Sequence, residues 1–122
     1  LGSLEPRRDF LYVDDTVAGF LAAMRTRAAV GRVVQMGTGE DVSIGELAAM
    51  VQEILGTSLP VVSTGERRRP PKSEVMRLIA SPERAAELLG WRPETTLRQG
   101  LEATAQWFRS LGERLTHRGY VL

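Results

Sequence analysis

Ser43-Ile44-Gly45-Glu46 is the stretch that leaves this chain the least conformational choice. A serine followed three residues later by a glutamate can satisfy two amides that a helix start leaves without partners. The hydroxyl accepts from the Glu46 amide, and the Glu46 carboxylate accepts from the Ser43 amide. Ile44, Leu47, Val51, Ile54 and Leu55 then recur at three- and four-residue steps, and Gly56 follows as a residue able to end the helix in the left-handed region. The pattern predicts an amphipathic helix over Ser43 to Leu55 whose apolar face must be covered by something else. A second box, Thr96-Leu97-Arg98-Gln99, opens another helix with the stripe Leu97, Leu101, Ala105, Phe108 and Leu111.

The remaining elements are weaker but follow the same logic. Phe10-Leu11-Tyr12-Val13 reads as a strand or extended segment, after which Asp14 or Asp15 can cap a helix running from Asp15 to Thr26. Val17, Phe20, Leu21 and Met24 share one face of that helix, Arg25 and Arg27 suit its negative end, and Gly31 closes it. Arg32 to Met36 is a β-branched run bounded by glycines, as expected of a strand buried in a parallel sheet. Ser58 to Val62 reads as a short strand, confined by Pro60 to an edge or a strand beginning, and Val75 to Ala80 as a short extended piece. Ser81 as N-cap and Pro82 at the first helical position start a brief helix that ends at Leu89-Gly90. Trp91 and Trp107 are expected to pack helices, and the residues to Leu122 to form a loosely held tail. The order β-α-β-α-β-β-α-α indicates an α/β fold. The strand at Arg32 to Met36 lacks obvious neighbours, so an incomplete domain is expected, and self-association of the isolated chain with it.

Composition narrows the function classes. The 122 residues suffice for one domain, and 16 basic against 15 acidic residues leave a net charge of +1, too little for a whole-molecule field that would draw in nucleic acid or a membrane surface. There is no cysteine and one histidine, His117, which argues against disulfides, thiolate metal sites and an ordinary zinc centre. No apolar run approaches the roughly 20 residues needed to cross a bilayer, and no signal-peptide pattern opens the chain; a cytoplasmic protein is expected. The start at Leu1, without an initiator methionine, reads as the middle of a longer protein. Gly37-Thr38-Gly39 invites a dinucleotide reading, but the third glycine of that fingerprint would fall at Val42 and no acidic residue follows at the required distance. No Ser/His/Asp set can be assembled.

The chemistry that remains is cationic. Arg67-Arg68-Arg69-Pro70-Pro71-Lys72-Ser73-Glu74-Val75-Met76-Arg77 places guanidinium groups on chain stiffened by two prolines, with one carboxylate among them. Held arginines fit phosphate oxygens bidentately. Together with Arg7-Arg8, such a set suits a nucleotide diphosphate, with cations for the phosphates and an acceptor for ribose hydroxyls. The alternative is a non-catalytic interaction module that uses Arg67 to Arg77 to hold an acidic partner or nucleic acid.

Several motifs occur in an order that resembles a known family. Arg8-Asp9-Phe10-Leu11-Tyr12-Val13-Asp14-Asp15 comes first, then Gly37-Thr38-Gly39 ahead of Ser43-Ile44-Gly45-Glu46-Leu47. Arg69-Pro70-Pro71-Lys72-Ser73-Glu74-Val75, Leu89-Gly90-Trp91-Arg92-Pro93, and Gly100-Leu101 with Trp107-Phe108 follow. This order resembles the C-terminal third of extended short-chain dehydrogenases/reductases, the NAD-dependent sugar-nucleotide epimerases/dehydratases. Arg-Pro-x-x-Ser-Glu-Val is most similar to 4,6-dehydratases acting on UDP-N-acetylglucosamine or GDP-mannose.

The resemblance implies a small mixed substrate-binding subdomain joined to the last strand and helices of an incomplete Rossmann-type domain. On that division residues 1–42 end the Rossmann portion, 43–115 form the substrate-binding subdomain and 116–122 are the tail. It implies that Arg8 and Arg69 hold the diphosphate of a nucleotide-diphosphate sugar, that Glu74 contacts the ribose, and that Arg77 lies near the same groove. No catalytic, cofactor-binding or metal residue is expected on this chain. NAD or NADP and a Tyr-x-x-x-Lys pair would belong to the rest of the enzyme, a lyase or isomerase that is commonly a homodimer, and neither Tyr12 nor Tyr120 is followed four positions on by lysine. Two positions depart from the family pattern, Gln35 in place of asparagine and Ser81 in place of a capping aspartate.

Overall fold

The computed structural model describes residues 1–62 and 75–111. A three-stranded mixed sheet ties the chain together, although each strand is only two residues long. β1 (Arg7–Arg8) lies in the middle, with β2 (Val42–Ser43) antiparallel on one side and β3 (Arg77–Leu78) parallel on the other. Arg7 faces Ser43 and Arg77, and Arg8 faces Val42 and Leu78. The Arg7 amide donates to the Met76 carbonyl at 2.7 Å and the Asp9 amide to that of Leu78 at 3.1 Å.

Among the described residues four helices accompany this sheet: α1 (Val13–Arg25), α2 (Ile44–Leu55), α3 (Glu83–Leu89) and α4 (Leu97–Leu111), with a short 3-10 turn at Arg27–Ala29. Both capping boxes form. In α2 the Glu46 amide donates to Ser43 Oγ at 3.0 Å and the Ser43 amide to the Glu46 carboxylate at 2.7 Å. The Ile44 and Gly45 amides donate to the carbonyls of Pro6 and Leu4, so the first turn of α2 is also sewn to the chain entering β1. Gly56 ends α2 with φ +67°, a conformation a side chain would strain. At α4 the Thr96 amide donates to Gln99 Oε1 at 2.9 Å and the Gln99 amide to Thr96 Oγ1 at 3.3 Å.

Other expectations are corrected. Of the strand or extended segment expected at Phe10 to Val13, Phe10 to Tyr12 lie in no strand, with Tyr12 extended; the strand is Arg7–Arg8, and Val13 already opens α1. Neither Asp14 nor Asp15 caps α1: its N-cap is Tyr12, without a side-chain cap, while Asp15 is buried and turned elsewhere. The helix stops at Arg25, well before Gly31. Arg32 to Met36 and Ser58 to Val62 form no strand. A β-branched run makes a strand only when a second backbone supplies a ladder of hydrogen bonds; among the described residues Val62 accepts one, from the Leu1 amine at 2.8 Å, and no ladder forms. The α3 helix begins at Glu83 with Pro82 as N-cap, and the Ser81 hydroxyl bonds the Glu83 carboxylate instead of a helix amide.

The core is small. α1 packs on α3, and α2 packs on α4. Trp91 is 6% exposed and lies over Gly19, where a Cβ would meet the Met36 sulfur at 2.5 Å and the indole at 3.2 Å. Trp107 is instead 57% exposed and meets only the edge of Phe108 among described aromatic rings. Val17, Phe20, Leu21 and Met24 do share a face of α1, but it faces outward, with Phe20 61% and Met24 83% exposed. Periodicity identifies residues that share a face and is silent about where the covering surface comes from.

Candidate functional site

Side chains alternate across β1, and the alternation divides two tasks. On one side Arg7 points into an ion-pair cluster. Its Nε donates to Asp41 Oδ1 at 2.7 Å, its Nη2 to the Asp41 carbonyl at 3.1 Å, and its Nη1 lies 3.0 Å from Glu46. Arg77 Nε bonds the other oxygen of Asp41. Asp41 thus links a residue of β1 to one of β3 from the turn that enters β2. Its side chain is 7% exposed, and the guanidinium groups of Arg77 and then Arg7 hold its carboxyl below the usual carboxylate range. The same hydrogen bond raises the Arg7 guanidinium above its ordinary value. Glu46 is also lowered, first by the Ser43 amide it caps.

On the other side Arg8 and Phe10 line an open groove of about 270 Å³. Thr38, Glu40 and Val42 form one wall, and the turn Pro93 to Thr96 with Leu97 at the start of α4 forms the other. Arg8 is half-buried, and its Nη1 donates to the Arg7 carbonyl at 2.8 Å. Asp9 lies behind the first wall. Its carboxylate accepts from the Thr38 amide at 3.0 Å, the Thr38 hydroxyl at 2.7 Å, the Gly39 amide at 3.0 Å and the Ala80 amide at 3.3 Å. The Thr38 and Gly39 amides are therefore spent on a carboxylate of the chain itself, and the loop does not fit a dinucleotide pyrophosphate. Gly37 is required here, because a Cβ would lie 2.4 Å from Ala80 Cβ and 2.6 Å from Asp9 Oδ2.

Of the residues expected to bind a nucleotide, Arg8 lies in this groove. Arg77 is not among its lining residues, since its side chain goes to Asp41. Arg69 and Glu74 fall outside the described residues. Arg7, expected beside Arg8 as a cation for the phosphates, is turned to Asp41 and Glu46 instead, and neither Asp9 nor Asp41 had been expected to hold such distant partners. Their partners lie 29 or more residues away, so no local spacing could have marked them. Gln35 and Ser81, the two departures from the resembled pattern, meet: the Ser81 amide donates to Gln35 Oε1 at 2.9 Å.

The GDP-mannose 4,6 dehydratase family model matches residues 1–104. The chain belongs to the GDP-mannose 4,6 dehydratase family. It is 36% identical over 101 residues to a dTDP-glucose 4,6-dehydratase of Streptomyces griseus, covering 83% of this chain and 30% of that one. Among solved structures, an epimerase of Methanothermobacter thermautotrophicus superposes with a TM-score of 0.85 at 30% identity, over 96% of this chain and 34% of that one. The UDP-glucuronic acid 4-epimerase of Bacillus cereus, in a Y149F form with a UDP-sugar and NAD, superposes with a TM-score of 0.79 at 30% identity, over 91% and 34%. This family member therefore spans about a third of the length of these relatives, and its α/β fold matches part of their Rossmann-like structures. Among the described residues no helix is long and apolar enough to cross a membrane.

Proposed function

We propose that this chain is the sugar-nucleotide-holding part of an NAD- or NADP-dependent 4,6-dehydratase or epimerase. The observation that carries the reading is Arg8, held on β1 in a groove between the Thr38 loop and the turn before α4, in a chain that belongs to this family. A guanidinium fixed on a strand loses little freedom on meeting a diphosphate and can bond two of its oxygens. In this reading Arg69 adds a second cation, Glu74 accepts from the ribose and Arg77 keeps β3 in place next to them. The redox cofactor and the tyrosine/lysine pair are supplied by the rest of the enzyme, so this chain alone is inactive, and whether the whole acts as a lyase or an isomerase is decided there. The setting is cytoplasmic, and the intact enzyme is a homodimer.

Calorimetric titration of the chain with UDP and GDP tests this. One nucleotide should bind better than the other, and Arg8→Ala should weaken the preferred one about tenfold or more, the loss expected for a charge-assisted contact. Absence of binding to both, or an affinity unmoved by Arg8→Ala and by Arg69→Ala, would overturn the reading.

A further inference from the structure

Two carboxylates six residues apart stand behind the two walls of the Arg8 groove. Asp9 gathers the Thr38 and Gly39 amides and the Thr38 hydroxyl, as described above. Asp15 is 6% exposed and does for the opposite wall what Asp9 does for the first. Its two carboxylate oxygens accept from the amides of Glu94 at 3.2 Å and Thr95 at 3.0 Å, and its carbonyl accepts from Trp91 Nε1 at 3.1 Å. Glu94 and Thr95 line the groove; Asp15 and Trp91 do not. Between the two carboxylates in sequence lie Arg8's neighbour Phe10, which lines the groove, and Tyr12, whose ring packs under Gly100 of α4, where a Cβ would come within 2.9 Å of it. One short run of chain thus carries the groove's floor and the anchors of both walls.

A buried carboxylate that accepts two backbone amides is a strong and directional anchor, and a turn held by it has little freedom left to spread. We infer that Asp15 is a positioning residue for the Arg8 groove, setting the distance between the Glu94-Thr95 wall and Arg8 so that a nucleoside diphosphate is gripped from both sides. This rests on the nucleotide reading proposed above. In that case the carboxylate acts through the wall and touches no ligand.

The test compares wild type, Asp15→Asn and Asp15→Ala by calorimetry with UDP and GDP, at a temperature where circular dichroism shows each to be folded. Asparagine keeps one acceptor oxygen and alanine keeps none. The affinity for the preferred nucleotide should therefore fall in steps, about threefold for Asp15→Asn and about tenfold or more for Asp15→Ala. A residue with a merely structural role would lower the melting temperature of both variants and leave the affinity of the folded protein unchanged, and that result would overturn the inference. Should either variant fail to fold, Asp15→Glu, which keeps both acceptor oxygens and lengthens the arm that sets the wall by one methylene, decides: a drop of about threefold supports the inference and an unchanged affinity overturns it. If wild type binds neither nucleotide, the proposed function fails before this inference is reached, so the two failures are distinguishable.

Discussion

At the scale of single residues, short acidic side chains do more of the organising than the arginines that dominate the sequence. Asp9, Asp15 and Asp41 each accept hydrogen bonds from groups far away in the chain, and each closes a gap that an apolar residue could not. Asp41 has a measurable signature. Its carboxyl titrates lower in the folded chain than the usual value near 3.8, because Arg77 and Arg7 favour its charged form. The unfolded carboxylate takes up its proton first as pH falls. The stabilisation is therefore complete above the ordinary carboxylate range and is lost as pH drops through the lowered folded value. Urea unfolding followed from neutral pH down into acid should show this loss in wild type. In Asp41→Asn stability should be lower at neutral pH and the acid-dependent component attributable to this group should be gone; an identical acid profile would show that the cluster contributes nothing.

At the scale of elements, local chemistry and long-range contacts work on different helices. α2 and α4 have caps written into adjacent residues, and both form where the spacing says. The box on α2 is coupled to the sheet as well, since Ser43 belongs to β2 and Glu46 also meets Arg7. Ser43→Ala should therefore cost about 1 kcal/mol, the usual loss for a helix cap, with a comparable lowering of the denaturation midpoint. A change of less than a few tenths would mean that the Pro6 and Leu4 carbonyls already suffice. α1 is the opposite case. It lacks a side-chain cap, and its first turn is held by the Asp15 carboxylate accepting from the turn before α4 and by the Trp91 indole donating to the Asp15 carbonyl.

At the scale of the whole molecule, the apolar face of α1 is left uncovered among the described residues. Val13, Val17, Phe20, Leu21 and Met24 are all exposed, with Val30 and Val33 just beyond them, and no large side chain among the described residues is fully buried. Contiguous apolar surface of this kind drives association in water. Light scattering on the purified chain should reveal dimers or larger species that dissociate on Phe20→Glu with Met24→Glu. A monodisperse wild-type monomer at high concentration would mean that this face tolerates water.

Helix identity could be read directly from residues, and the family through the resemblance of motifs made of adjacent residues. Ser43 with Glu46, Thr96 with Gln99, Gly56 and Gly90 act within a turn of their own positions, and Arg8 falls within a motif of adjacent residues. The α/β class followed from the alternation of these local patterns. Strand pairing and the groove could not be read that way. Arg7 and Arg8 have no strand signal of their own, and become the central strand only because residues 42–43 and 77–78 arrive on either side. Arg32 to Met36 has the composition of a strand and is none, because no backbone among the described residues pairs with it. Asp15 sits in the first turn of a helix, where a capping role was the natural expectation, and its carboxylate reaches instead for amides 79 and 80 residues away. A sequence by itself determines interactions whose partners are a turn apart; which distant amide a carboxylate finds is decided only when the chain has folded back on itself.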